Sequence, residues 1–136
     1  MNIKKLETIK NLPTHFSSEQ ERRDYYWIIL HEINNIVVSN KIFMLTEVKE
    51  NLEKMFNERV INNELYLSWK HILNNYPKNS DILLEKSEKM QQLRSISPFS
   101  IVIKSNKDRK FILDKLYSIK IEKNTKEPIK YLELIE

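Results

Sequence analysis

The sequence predicts an α+β fold that is mainly α-helical, with about four N-terminal helices followed by a small C-terminal β-α-β-β unit. Apolar residues recur at helical spacing through most of the first 96 residues, and serine or proline residues mark the ends of these stretches. After Pro98 the apolar pattern becomes short, β-branched and alternating, as in strands. A chain of 136 residues is expected to form a single domain, 1–136, with a helical part over about 14–96 and a mixed part over about 98–136.

The four predicted helices each have a recognisable beginning or end. Ser17 with Gln20 and Ser18 with Glu21 form two overlapping capping boxes at the start of the first helix. This helix is apolar around most of its circumference and is expected to be the central one. Pro77 ends the third helix and Pro98 ends the fourth. The predicted helices cover residues 18–39, 46–57, 63–75 and 80–95.

The C-terminal third is predicted to contain three strands and one short helix. Ser105 with Asp108 marks the start of the helix, which extends to Leu116. Polar residues over 123–128, ending in Pro128, are typical of a hairpin loop. The predicted strands cover residues 99–103, 118–122 and 129–134.

Two missing residue types exclude several classes of enzyme. The chain has no glycine, so it has no phosphate-binding loop, dinucleotide-binding fingerprint or nucleophile elbow, each of which needs the close backbone approach that glycine allows. It has no cysteine, which excludes thiolate catalysis, cysteine-ligated zinc and disulfides. We therefore expect no cofactor and no nucleotide-dependent reaction of the common kinds.

The hydropathy of the chain indicates a protein without a membrane partner. The longest apolar stretch, 25–38, is too short to span a bilayer and contains histidine, glutamate and two asparagines. The first ten residues are charged and no apolar segment follows them, so we expect no secretory signal. The expected location is the cytoplasm.

The three histidines do not form a recognisable catalytic or metal-binding set. His31 lies inside the apolar stretch, but Asn35 occupies the position at which a zinc-binding helix carries its second histidine. An arginine that precedes a histidine on one helix is also found in a family of helical ribonucleases, but the spacing from Arg23 to His31 is longer than in that family. We therefore expect His31 to lie with Trp27 and Asn35 on the less apolar flank of the first helix, without a catalytic or metal-binding role, and His15 and His71 to be exposed.

The basic residues are concentrated near the C-terminus. Residues 104–130 contain nine Lys or Arg and four Asp or Glu, whereas the whole chain has a formal net charge of +4. Such a cluster can attract a polyanion or an acidic protein, although lysines spaced along helices and hairpins are commonly solvated surface. The candidate partner- or nucleic-acid-binding residues are Lys104, Lys107, Arg109, Lys110, Lys120 and Lys123.

These observations favour a non-catalytic protein-binding module, such as an inhibitor, an immunity protein, or a phage or mobile-element factor that blocks a macromolecular target. The small size, the aromatic content and the lack of an assembled catalytic set lead to this prediction. One alternative is a nucleic-acid-binding protein that uses the basic C-terminal segment. Another is a small metal-independent ribonuclease-like toxin that works with Lys, Arg, Tyr117 and Tyr131. A protein partner is thus expected ahead of nucleic acid, and the oligomeric state is left open.

Overall fold

The computed structural model describes residues 2–122. Within this part the protein is mainly α-helical, with six helices and a two-stranded parallel sheet of two residues per strand. The helices are α1 (Glu7–Lys10), α2 (Glu19–Asn40), α3 (Phe43–Asn57), α4 (Asn63–Asn75), α5 (Glu88–Ser95) and α6 (Asn106–Tyr117). The strands are β1 (His15–Phe16) and β2 (Lys120–Ile121), and 3₁₀ turns lie at Ile3–Lys5, Ser80–Leu84 and Pro98–Ile101.

Four of the longer helices begin at a side-chain N-cap. The caps accept a hydrogen bond from the backbone N–H three residues ahead, which has no partner inside the helix. Each such cap stabilises a helix start by about 1 kcal/mol. The caps are Ser18 on α2, Asn62 on α4, Ser87 on α5 and Ser105 on α6. The predicted starts of α2 and α6 are therefore confirmed, as is the end of α4 just before Pro77.

Helix α3 ends at a residue with a left-handed backbone. Arg59 has φ of 60°, and the N–H of Val60 donates to the carbonyl of Met55 across 2.8 Å, which closes the end of the helix. Glycine usually occupies this position because it has no Cβ to clash there. In a chain without glycine, Arg59 adopts this conformation at a cost in backbone free energy.

Helix α2 is the central helix, as predicted, and lies between two apolar cores. Its C-terminal end, with Val38, packs into a core formed with α3, α4, α5 and the 3₁₀ turns on either side of α5. Its middle, with Ile29 and Ile33, packs into a second core formed with the N-terminal segment, β1 and α6. None of the helices within residues 2–122 has the length and apolar character that crossing a bilayer requires.

The predicted fourth helix over 80–95 is wrong in its first half. The chain forms a 3₁₀ turn over Ser80–Leu84, becomes extended at Glu85 and begins α5 only after Ser87. The reason is a tertiary contact, because the guanidinium group of Arg94 donates to the carbonyls of Leu83 and Glu85. These carbonyls therefore find their partner in a side chain instead of a helical N–H.

The predicted strand over 99–103 is also wrong, because this segment forms the 3₁₀ turn Pro98–Ile101. Ser97 caps the turn by accepting from the N–H of Phe99. Phe99 lies in the core around α3 and α4, whereas Ile103 lies in the core around α6. The apolar residues of this bent segment therefore fill two different cores. Among the described residues, no strand pairs with the segment.

The predicted C-terminal strand over 118–122 is confirmed only as the short strand β2. It pairs in parallel with β1, with His15 opposite Lys120 and Phe16 opposite Ile121. The predicted loop over 123–128 and strand over 129–134 lie outside the described residues. The β-α-β-β unit is therefore not found in the described part of the chain.

Arg22 holds the C-terminal end of α6 against α2. Its guanidinium group donates to the carbonyls of Leu116 and Ile119, with distances of 3.3 and 2.6 Å. These carbonyls lie at or just beyond the end of α6, where helical partners are missing and a positive charge is favourable. Arg22 therefore helps to hold the end of α6 next to the N-terminal part of α2.

Candidate functional site

A cavity of about 360 Å³ lies between the middle of α2, the C-terminal half of α3 and the segment that joins α5 to α6. We call it the central pocket. Apolar side chains form much of its wall, and its volume falls in the range of small-molecule sites. Its polar and charged lining includes His31, Asn34, Asn51, Arg94, Ser97 and Arg109.

Three helices hold the wall of the central pocket at residues 96–98. Trp69 Nε1 on α4 donates to the carbonyl of residue 96 across 3.1 Å, and Asn51 Nδ2 on α3 donates to the carbonyl of residue 98 across 2.9 Å. His31 Nε2 on α2 lies 2.8 Å from Oγ of Ser97. Three consecutive residues thus contact three different helices, so the pocket wall is fixed by specific hydrogen bonds.

His31 is buried and neutral. Its Nδ1 lies 2.7 Å from the carbonyl oxygen of Trp27, and because a carbonyl only accepts, Nδ1 carries the proton and Nε2 accepts from the Ser97 hydroxyl. Burial lowers the pKa of His31 to about 4. The hydrogen bond to Trp27 opposes this shift, and the positive charge of Arg94 adds to it. His31 is only 2% exposed, so its predicted place on the less apolar flank of the helix is wrong, and its partner Ser97 was not predicted.

Glu32, which follows His31 in the sequence, forms hydrogen bonds with α1 and not with the central pocket. Glu32 accepts hydrogen bonds from the backbone N–H groups of Glu7 and Thr8, with distances of 2.8 and 3.2 Å. The carboxylate therefore caps the N-terminus of α1, where negative charge is favourable. His31 and Glu32 do not form one site.

Ser97 and His31 lie within hydrogen-bond distance, as the serine and histidine of a catalytic pair do, but among the described residues the ring has no neighbouring carboxylate to stabilise its protonated form. A histidine that takes a serine proton becomes an imidazolium, which a catalytic triad stabilises with a carboxylate. Among residues 2–122, Asp24 is the buried carboxylate near this site, and it pairs with Arg94 instead. The pKa of about 4 means that the protonated ring is strongly disfavoured. The arrangement is therefore suited to binding and packing more than to nucleophilic catalysis.

Arg94 connects α5 to α2 through a buried ion pair. Its Nη2 donates to Asp24 Oδ1 across 2.8 Å, and its Nη1 donates to the carbonyls of Leu83 and Glu85 across 3.0 and 2.7 Å. Arg94 also lines the central pocket. Buried charges are tolerated when they are paired and hydrogen-bonded in this way.

The central pocket collects buried polar atoms that have no protein partner. Within residues 2–122 there are four such side-chain atoms: Asn34 Oδ1, Asn79 Oδ1, Arg94 Nε and Arg109 Nε. All of these residues except Asn79 line the central pocket. Because folded proteins pair nearly all of their buried polar groups, a concentration of unpaired ones in a single cavity is unusual. Each of these atoms has less than 1 Å² of solvent-accessible surface, so a ligand can contact it only if the pocket wall shifts.

Of the six predicted basic residues, five lie in the part of the chain that the structure describes, and their surroundings differ. Lys104, Lys107, Lys110 and Lys120 are exposed, and Lys123 lies outside the described residues. Arg109 instead lines the central pocket and donates from Nη2 to the carbonyl of Ile103 across 2.7 Å. Arg109 is thus the predicted residue that reaches the pocket, but from a different side of α6 than its basic neighbours.

Asn34, Arg94 and Ser97 belong to the pocket but were not predicted as site residues. Arg94 follows Met90 by four residues and so lies on the apolar face of α5. A charged residue on a buried helix face is a signal that can be read from the sequence. Asn34 gives a similar signal inside the apolar stretch of α2. Their convergence depends on contacts between residues far apart in the chain, which no local pattern predicts.

Among residues 2–122, no three His, Asp or Glu side chains lie close enough together to hold a metal ion. Comparison of the chain with protein-family models, with characterised proteins and with solved structures found no match.

Proposed function

We propose that the protein is a non-catalytic binding protein whose central pocket receives a small ligand. The observation that carries this proposal is the presence of three buried polar atoms without a protein partner around a single cavity. An apolar cavity with a few convergent polar groups is the usual form of a ligand site. The low pKa of His31 supports binding over catalysis, because the neighbouring serine has no effective base.

The construction of the pocket supports recognition of a specific shape. Its wall at residues 96–98 is held by hydrogen bonds from α2, α3 and α4. A cavity that is already formed avoids the entropic cost of ordering its walls when a ligand binds. Apolar surface for the body of a ligand comes from Trp27, Leu30, Met55, Val60, Phe99 and Ile103.

A screen of small fragments by saturation-transfer NMR tests the binding function. Ser100 is exposed and lines the pocket, so Ser100→Trp is expected to fill it and to abolish the binding of fragments. Ser39→Trp is the matched control, because Ser39 is also exposed but lies at the end of α2. Fragments that bind equally to both variants, or no binding to the wild-type protein, would contradict the proposal. Labelling of Ser97 by a fluorophosphonate would contradict its non-catalytic part.

A second candidate is the predicted protein-binding module that blocks a macromolecular target, as an inhibitor, immunity protein or phage factor does. Two large apolar side chains, Ile42 and Phe43, are consecutive at the start of α3 and are 56% and 64% exposed. Exposed apolar residues of this size are frequent at protein interfaces. This candidate does not depend on the central pocket.

A tagged pull-down from a host lysate tests the second candidate. We expect one stoichiometric protein that resists nuclease treatment and is lost with the double variant Ile42→Ser/Phe43→Ser. Leu67→Ser on α4 is the control, because Leu67 is 53% exposed on a different helix. A partner that is retained by the double variant would contradict this role for the α3 start.

Binding of nucleic acid through the basic residues remains a third proposal. The exposed positions of Lys104, Lys107 and Lys110 leave them accessible to phosphates. In that case, affinity for random duplex DNA or RNA should fall steeply with salt and should be lost on charge reversal of these three lysines. Negligible binding at low salt, measured by fluorescence anisotropy, would rule out this proposal.

A further inference from the structure

We propose that the ligand of the central pocket is a small organic acid whose carboxylate is bound by Arg109 and whose body is apolar. This inference rests on the proposed binding function and adds the chemical class of the ligand. It follows from the charge of the lining, from the donors that lack acceptors, and from the apolar walls.

The charge of the lining favours an anion. Two guanidinium groups, those of Arg94 and Arg109, line the pocket, and no Asp or Glu is among the lining residues. Asp24 neutralises the charge of Arg94, because its Oδ1 lies 2.8 Å from Arg94 Nη2. Arg109 forms no ion pair within residues 2–122, and it donates from Nη2 only to a carbonyl, that of Ile103. The pocket therefore presents about one uncompensated positive charge.

The free hydrogen-bond donors favour a carboxylate. The Nε–H groups of Arg94 and Arg109 are both buried and have no protein acceptor. Arginine binds planar, charged oxygen pairs especially well, because its donors match the geometry of a carboxylate. Asn34 Oδ1, the other unpaired atom, is an acceptor, so the carboxylate is expected to face Arg109 and not Asn34.

The apolar walls favour an organic acid over inorganic phosphate. Trp27, Leu30 and Met55 line the same cavity and would contact the body of the ligand. A dianion such as phosphate would need a second unpaired cation to compensate for the free energy of removing it from water. Arg94 cannot serve as that cation, because Asp24 already neutralises its charge. One net positive charge with apolar surroundings matches a monocarboxylate on a hydrophobic group.

Calorimetric titration with a matched pair of probes tests this inference. We expect 3-phenylpropanoate to bind the wild-type protein about tenfold or more tightly than 3-phenylpropanamide, because charge-assisted hydrogen bonds are the stronger ones. Arg109→Met is expected to remove this preference. Lys110→Met, which removes the same charge from an exposed neighbour on α6, is expected to keep it.

The carboxylate can belong to a free acid or to the C-terminus of a partner polypeptide. N-acetyl-Gly-Phe and its C-terminal amide distinguish these sources. If the peptide acid binds more tightly than 3-phenylpropanoate, the source is a polypeptide; the reverse order indicates a free acid. Both results support recognition of a carboxylate.

The comparison on the wild-type protein does not depend on the folding of any variant. Equal affinity for the acid and the amide would overturn the inference of an acid and would leave the binding function intact. Binding of neither probe, while other fragments bind in the pocket, would also overturn the inference alone. If no fragment binds in the pocket, the proposed function fails together with the inference.

Discussion

Arg94 Nη2 lies 2.8 Å from Asp24 Oδ1, and the two side chains are 0% and 6% exposed. The pair joins residues 70 positions apart and ties α5 to α2 beside the central pocket. Removal of one partner from such a pair leaves a buried charge without compensation, which costs more than the intact pair contributes. The pair therefore fixes Arg94 at the pocket.

Asp24→Asn is expected to lower the free energy of unfolding by about 3–5 kcal/mol, because it leaves the guanidinium of Arg94 buried without its counter-charge. Urea denaturation followed by circular dichroism measures this loss. Glu7→Gln is the control, since its ion pair with Lys10 is on the surface, and a much smaller change is expected there because water screens the pair. Similar small losses for both variants would contradict the structural role of the buried pair.

The stability of the protein is expected to fall in mild acid because of His31. Its folded-state pKa of about 4 lies below its ordinary value of 6.5, so the unfolded chain takes up the proton first as the pH falls. The contribution of this group is fully present above pH 6.5 and is lost as the pH falls through 4. Over that window the loss is on the order of 3 kcal/mol.

The effect of His31 is isolated by comparison with His31→Gln. Denaturant unfolding at several pH values is expected to give a steeper acid dependence for the wild-type protein than for this variant. His71→Gln is the control, because His71 is exposed. Parallel stability curves for the wild-type protein and His31→Gln would show that the histidine is not buried as a neutral ring.

Ser97→Ala is expected to lower the free energy of unfolding by about 1–3 kcal/mol. The change leaves the buried Nε2 of His31 without its donor and removes the cap on the N–H of Phe99. Ser95→Ala, two residues earlier at an exposed position, is expected to change stability by less than about 0.5 kcal/mol. Thermal and urea unfolding of both variants provides the comparison, and an equal effect would exclude the contact with His31.

Arg59→Gly is expected to stabilise the protein by about 1 kcal/mol. Arg59 has φ of 60° at the end of α3, a conformation that glycine adopts without the steric cost of a Cβ. Arg23→Gly, in the interior of α2, is the control and is expected to destabilise by about 1 kcal/mol. A loss of stability with Arg59→Gly would mean that the arginine side chain contributes more than its backbone conformation costs.

The helices were predictable where their signals are local. Helix α4 has the predicted bounds, since its start and its stop at Pro77 depend on neighbouring residues. The region from Ser80 to Leu84 and the turn Pro98–Ile101 were not predictable in this way. The backbone of the first region depends on hydrogen bonds to Arg94, which is itself held by Asp24. The backbone of the second depends on the burial of Phe99 in the core around α3 and α4.

The pocket was predictable only in fragments. Its individual signals were present, because His31 and Asn34 interrupt an apolar helix and Arg94 lies on the apolar face of another. Arg109 was among the predicted binding residues, but its position in a lysine-rich segment suggested a surface role. The convergence of these residues depends on the packing of α6 and α5 against α2, which short-range patterns do not specify.

Chemical-shift mapping with 3-phenylpropanoate tests the central claim most directly. In ¹⁵N–¹H spectra of the labelled protein, we expect the acid to shift the backbone amides of residues 95–97, 99 and 100, the side-chain amide of Asn34 and the Nε–H of Arg109. The uncharged amide analogue should have a smaller effect on Arg109. Shifts confined to the exposed Lys104, Lys107 and Lys110, or no shifts at all, would contradict a binding site in the central pocket.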